Sequence, residues 1–211
     1  MRLFFLLLAV STAAVAQPFS AGLKLGVPLT DFVNAASSGN TSFSTATNRY
    51  IIGLEGELRL PFGLGIELDV LYRHLNYNET ANLVDAVAHT GTTSNAWEFP
   101  LVAKYRFKAP IVRPYVEAGV AWDTLQGLTQ TVSAVVVTGS ATSSSTSNPS
   151  DLQNNTVRGF VMGGGVDIHA LLIHVTPEIR YTRWGAKHFF DPTGLLSSNQ
   201  NQAEFLVGIT F

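Results

Sequence analysis

The chain has 211 residues, with 13 Lys and Arg, 15 Asp and Glu, no Cys, 46% hydrophobic residues and only 13% charged residues. Average soluble domains carry roughly 25% charged residues, so an ordinary cytosolic globule fits poorly. The formal net charge of −2 lacks the basic footprint of a nucleic-acid binder. The absence of Cys excludes a disulfide scaffold, a Cys-based zinc site, a catalytic thiol and a cysteine-linked lipid anchor.

Arg2 precedes an apolar run from Leu3 to Val10, and small residues follow to Ala14, Val15 and Ala16. A positive start, an apolar stretch of roughly 7–15 residues and an A-x-A end describe a secretory signal. The alternative is a membrane anchor, but a spanning helix needs roughly 20 apolar residues. Ser11, Thr12 and Gln17 interrupt the run too early. The expected division is therefore a signal peptide over residues 1–16, cut between Ala16 and Gln17, and one exported domain over residues 17–211.

Along that domain the hydrophobic period is two, the period of a β-strand. In the first segment Phe19, Ala21, Leu23, Leu25 and Val27 share a face opposite Lys24. In the second, Tyr50, Ile52, Leu54, Leu58 and Leu60 oppose Arg49, Glu55, Glu57 and Arg59. In the third, Leu64, Ile66, Leu68, Val70 and Tyr72 oppose Glu67, Asp69 and Arg73. The fourth sets Trp97, Phe99, Leu101, Ala103, Tyr105 and Phe107 against Glu98, Lys104 and Arg106. The fifth sets Val116, Ala118, Val120 and Trp122 against Tyr115, Glu117 and Asp123. The sixth sets Phe160, Met162, Val166 and Ile168 against Gly163, Gly165 and Asp167. The seventh sets Ile173, Val175, Ile179 and Tyr181 against His174, Glu178 and Arg180. The last carries Phe205, Val207, Ile209 and Phe211 against Glu204.

Eight segments of about 10–12 residues have the length of tilted membrane-crossing strands, whereas soluble sandwich strands run nearer 5–6 residues. Short links fall near Pro61–Gly63, Lys108–Arg113 and His169–Leu172. Long ones fall near Leu29–Asn48, Asn76–Asn95, Gln126–Thr156 and Gly185–Asn201. This alternation is that of outer-membrane barrels, with short periplasmic turns and long extracellular loops. The run from Thr138 to Ser147 is almost wholly Ser and Thr, with one Gly and one Ala, and by composition it is expected to stay unordered. The expected fold is all-β, an eight-stranded antiparallel transmembrane up-and-down β-barrel with both termini in the periplasm.

A charge near the centre of the hydrocarbon layer costs roughly 2–4 kcal/mol on a barrel's outer face. The apolar face is therefore expected outside, with aromatic residues at the interfaces, and the charged face inside. The alternative with the same period is a soluble lipocalin-type barrel, apolar within and polar without.

The segments Phe99–Phe107 (FPLVAKYRF), Arg113–Gly119 (RPYVEAG) and Gly163–Asp167 (GGGVD), with the signal and the terminal Phe211, resemble the small outer-membrane β-barrel domain family of OmpA-like and PorT-like proteins. The resemblance implies an eight-stranded barrel in a Gram-negative outer membrane and no single activity. It also implies that Phe205, Val207, Ile209 and Phe211 form the signal read by the barrel-assembly machinery. The cell-wall-binding domain that often follows such barrels is not expected.

The expected lumen charges are Glu55, Glu57, Arg59, Glu67, Asp69, Arg73, Lys104, Arg106, Glu117, Glu178 and Arg180, with Lys24, Arg49, Glu98, Asp123, Asp167 and Glu204 on the same face. Acids at i and i+2 could be a catalytic pair or a conducting lining. An eight-strand interior is just wide enough for side chains to fill, so a structural ion-pair network is the reading preferred. The histidines (His74, His89, His169, His174, His188) show no cluster of three or four metal ligands at one place. His174-Val175-Thr176 has the spacing of a lipid A deacylase pair but lacks Ser and faces inward. An omptin-like protease would need ten strands. Gly163-Gly164-Gly165 lacks the Lys and Ser/Thr of a phosphate loop. No catalytic residues, cofactor or metal are assigned. The function expected is structural or surface-interacting, with a sealed lumen; a narrow pore and a lipid-modifying barrel enzyme are the alternatives. The partners expected are outer-membrane lipid, the assembly machinery and extracellular ligands of the long loops, for a monomer without nucleic acid.

Overall fold

A computed structural model describes residues 19–45, 49–82, 86–136, 141–170, 173–192 and 195–211. The expected cleavage residues Ala14, Ala16 and Gln17 lie outside the described residues.

Eight long strands form the fold: β1 (Phe19–Pro28), β2 (Ile51–Arg59), β3 (Leu64–Asn82), β4 (Ala86–Arg106), β5 (Val112–Val136), β6 (Thr156–Ala170), β7 (Ile173–Trp184) and β8 (Asn201–Thr210). Each pairs antiparallel with the next, as in Leu54↔Val70, Tyr72↔Trp97 and Lys104↔Glu117. β8 returns to β1 through Leu23↔Ile209, Leu25↔Val207 and Val27↔Phe205. The ring closes, so no barrel strand leaves an unpaired edge in the hydrocarbon.

Alternation places the faces as expected. Leu54 is 59% exposed on the outer face, while Lys24 and Arg180 on the inner face are 0% exposed. Tyr105, near the end of β4, and Trp122, within β5, are exposed on the outer face, and Tyr50 and Phe107, just beyond β2 and β4, are exposed as well. A soluble barrel needs the opposite arrangement, so the lipocalin-type alternative is excluded. Small residues keep the interior narrow. A Cβ on Gly165 would lie 2.8 Å from both the Glu178 Cβ and the Tyr115 hydroxyl, so this inward position accepts only glycine.

At one end β2 and β3 are joined by Pro61–Gly63, where Phe62 (φ 66°) and Gly63 (φ 85°) adopt left-handed backbone. The Leu60 amide donates to the Leu64 carbonyl across this turn. The link between β4 and β5 is similarly short. This is the turn end.

The opposite, loop end departs from expectation. The hairpin of β3 and β4 stays paired as far as Asn82↔Val87, and that of β4 and β5 as far as Ala86↔Val136. Much of Asn76–Asn95 and of Gln126–Thr156 is therefore strand, not loop. The short strand Thr41–Thr45 pairs beside β3. Ala141–Thr146, inside the run expected to stay unordered, pairs with β5 from Gln130↔Thr146 to Val135↔Ala141. Composition underestimates this run because backbone hydrogen bonds to an existing edge need no apolar burial of its own, and its Thr residues favour the extended chain.

Candidate functional site: a charged lumen under an apolar cap

The inner face of every barrel strand contributes to one continuous polar interior. At the turn end, the Arg106 guanidinium grips the Glu57 carboxylate with both terminal nitrogens, and its Nε donates to Asp167 Oδ2 at 3.0 Å. His174 Nδ1 lies 2.8 Å from the other Asp167 oxygen. Arg59 closes this level at the rim, with its Nη1 3.3 Å from His174 Nε2.

The middle level holds three bases. The Lys24 ammonium lies 3.0 Å from Glu55, 2.6 Å from Glu67, 3.1 Å from Asp69 and 3.2 Å from Glu178. Lys104 sits 2.6 Å from Glu67 and 3.4 Å from both Glu117 and Glu178. The Arg180 fork reaches Asp69 at 2.7 Å, Glu178 at 2.8 Å and Glu117 at 2.9 Å. The Tyr115 hydroxyl donates to Glu178 at 2.5 Å, and the Lys104 ammonium lies 4.6 Å from that ring's centre. Buried charges persist when paired and hydrogen-bonded, and each of these bases faces at least three carboxylates.

The third level is built on Arg73, 3.2 Å from both Asp123 and Glu204 and 3.8 Å from Glu98. His188 Nε2 lies 3.3 Å from Asp123. Above it the lumen turns apolar. Leu75, Tyr77, Ala96 and Leu125 from the inner strand faces pack with Phe32, Val33, Phe189 and Leu196 from the long connections. Val33–Ala35 and Leu196–Ser198 pair as a small two-stranded sheet over this cluster. The Phe32 ring caps Arg73 at 4.9 Å and stacks on His188 at 5.7 Å. The Tyr77 hydroxyl donates to Asp151 at 2.5 Å, and its ring meets Phe189 edge-on.

All eleven expected lumen charges lie on the inner face, and Lys24, Glu98, Asp123, Asp167 and Glu204 join them. Arg59 is only half-buried at the rim. Arg49 is a correction. It is 69% exposed and pairs with Asp31 at 3.0 Å above the barrel. It precedes β2, where strand alternation no longer sets direction. Sequence reasoning missed the cap entirely, because its apolar residues are single positions scattered over the long connections. It also missed the inward Trp184, which packs with Val102, Ala121, Val157 and Val161.

Two carboxylate trios, Glu55/Glu67/Asp69 and Glu67/Glu117/Glu178, bring oxygens within 4.8 Å of one another. A metal would need that shared space, but the ammonium of Lys24 serves the first trio and that of Lys104 the second. The donor sets therefore do not fit a metal. None of these carboxylates reaches a substrate-sized opening, since each is buried among its own counter-charges.

The family model described as outer membrane protein beta-barrel domain matches residues 15–190. No curated protein matches the sequence. Among solved structures, Neisserial surface protein A is 14% identical, over 93% of this chain and 98% of that one, with a TM-score of 0.48. OprG from Pseudomonas aeruginosa is 13% identical, over 91% and 92%, with a TM-score of 0.48. Ail of Yersinia pestis, solved with the heparin analogue sucrose octasulfate, is 8% identical, over 92% and 98%, with a TM-score of 0.40.

Proposed function

Because the chain belongs to the outer membrane protein β-barrel domain family, we propose that it is a non-enzymatic barrel with a closed lumen, whose loop end is the part that meets other molecules. The observation that supports this reading is the stacking of an apolar cluster over a buried ion-pair network. Three levels of buried ion pairs line the bore, and an apolar cluster that includes Phe189 and Leu196 lies over them. Water and ions crossing this path would have to break buried pairs at every level, each break costing roughly 3–5 kcal/mol. The long Thr- and Ser-rich hairpins then project a broad polar surface outside the membrane, the usual place for recognition on a rigid scaffold.

In this reading residues 1–16 are a cleaved signal, the turn end faces the periplasm and the loop end faces outward. Phe205, Val207, Ile209 and Phe211 serve as the assembly signal, and the barrel works as a monomer. The test is reconstitution of the purified protein in planar bilayers. A closed lumen gives no steady conductance steps. Reproducible steps whose ion selectivity changes in Glu67→Ala would make the charged interior a conduction path and defeat the proposal.

A further inference from the structure

Between the Pro61–Gly63 turn and the link that follows β4 lies a cavity of about 390 Å³. Four cations line it: Arg59, Arg106, Lys108 and Arg113. No carboxylate is among the lining residues. Arg106 is already committed to Glu57 and Asp167. The others are not fully used. The buried Nε of Arg59 has no hydrogen-bond partner, and the nearest Glu57 oxygen is 3.7 Å away. Arg113 gives its Nε to the Ala109 carbonyl at 3.1 Å. Among the described residues neither Arg113 nor Lys108 has a carboxylate within ion-pair distance.

The other wall is apolar and continues the outer belt. Leu60, Leu64 and Phe107 line the cavity and stand exposed on the face that meets lipid. A ligand suited to both walls has an anionic, oxygen-rich head and hydrocarbon tails. A free anion would satisfy the cations and leave the apolar wall unused. At roughly 30 Å³ per water, the space takes about a dozen waters, enough for a phosphoglycerol head.

We propose that this cavity binds the headgroup of an anionic phospholipid, its phosphate held by Arg59, Lys108 and Arg113 and its acyl chains running along Leu60, Leu64 and Phe107. Arg and Lys donors suit phosphate oxygens, with Arg offering a planar fork and Lys a point charge. The placement in the inner, phospholipid leaflet rests on the orientation proposed above. Binding itself does not, so the two can fail separately.

The test is native mass spectrometry of the full barrel in detergent with phosphatidylglycerol, with phosphatidylcholine as comparison. One phosphatidylglycerol is expected to be retained in preference to phosphatidylcholine. The Lys108→Gln/Arg113→Gln variant should lose about fivefold in retention for each charge removed, while Lys187→Gln, away from this cavity, should retain the lipid normally. Folding of each variant is read from the heat-dependent gel shift. If the double variant gives no folded band, Lys108→Gln alone carries the comparison. Equal retention of both lipids, or no loss in the variants, overturns the site. Displacement of the lipid by millimolar inorganic phosphate would assign the cavity to free phosphate instead and overturn the lipid assignment.

Discussion

The Lys24 ammonium lies 2.6 Å from the Glu67 carboxylate, and both side chains are sealed from solvent. The pair joins β1 to β3, and β2 lies between them. Three further carboxylates, Glu55, Asp69 and Glu178, share the same ammonium. Lys24 therefore binds four walls of the barrel together, and its loss leaves like charges facing one another without a centre. Lys24→Met should destabilise the barrel by about 3–5 kcal/mol, the usual cost of an uncompensated buried charge. Arg49→Ala removes an exposed pair, worth less than about 1 kcal/mol. Urea titration followed by the heat-dependent gel shift compares the two. Equal midpoints would show that the interior tolerates its carboxylates without Lys24.

Arg106 tests geometry rather than charge. Its fork holds both Glu57 oxygens while Nε holds Asp167, a planar arrangement that an ammonium does not reproduce. Arg106→Lys should therefore recover only a minor share of the stability lost in Arg106→Ala, which is about 3–5 kcal/mol. Full recovery in the lysine variant, by the same urea titration, would reduce this level to a simple charge balance.

The barrel was legible in the sequence because lipid on one side and packed charge on the other imprint a period of two. The assignments of Glu55, Glu67, Asp69, Lys104, Glu117, Glu178 and Arg180 to one interior follow from that period and from the cost of charge in hydrocarbon. Above the membrane the constraint vanishes. Thr90, Thr92, Thr129 and Thr131 lie on strands whose two faces differ less in polarity, so hydrophobicity carries little signal there. Only the density of β-branched residues marks the extended hairpins. The cap was hidden for another reason. Phe32, Phe189 and Leu196 come together only once the barrel has fixed the feet of their connections. The partners inside the lumen were equally out of reach, because alternation gives a face but not a register.

The cap should respond to pH through Glu79, which lies on the part of β3 that extends beyond the membrane. Burial, then the nearby Asp191 and Asp151, raises its carboxyl above the usual 4.5. A raised acid binds more protons folded than unfolded, so its contribution to stability is full below the ordinary carboxylate range and is lost as pH rises through the raised value. Hydrogen-exchange protection factors around Tyr77 and Phe189, corrected for the intrinsic pH dependence of amide exchange, should thus rise on mild acidification. Glu79→Gln should flatten that dependence and slow exchange at neutral pH. An unchanged pH profile in the variant would place the effect on another group.

The orientation can be read on whole cells. Ser144 sits in a strand paired to Val132, so a tag there would break backbone hydrogen bonds of the extended sheet. Ser147 and Asn148 follow the strand as an exposed bend, where the Asn148 amide donates to the Thr146 hydroxyl at 3.1 Å. Exposed connecting segments with few backbone bonds accept insertions best. An epitope inserted between Ser147 and Asn148 should be bound by antibody on intact cells, and the barrel should keep its heat-dependent gel shift. The same epitope at Ser144 should lower the folded fraction or expose the hairpin to protease. Detection at Ser147 only after the outer membrane is opened would reverse the orientation and put the cationic turn end, with Lys108 and Arg113, at the cell surface.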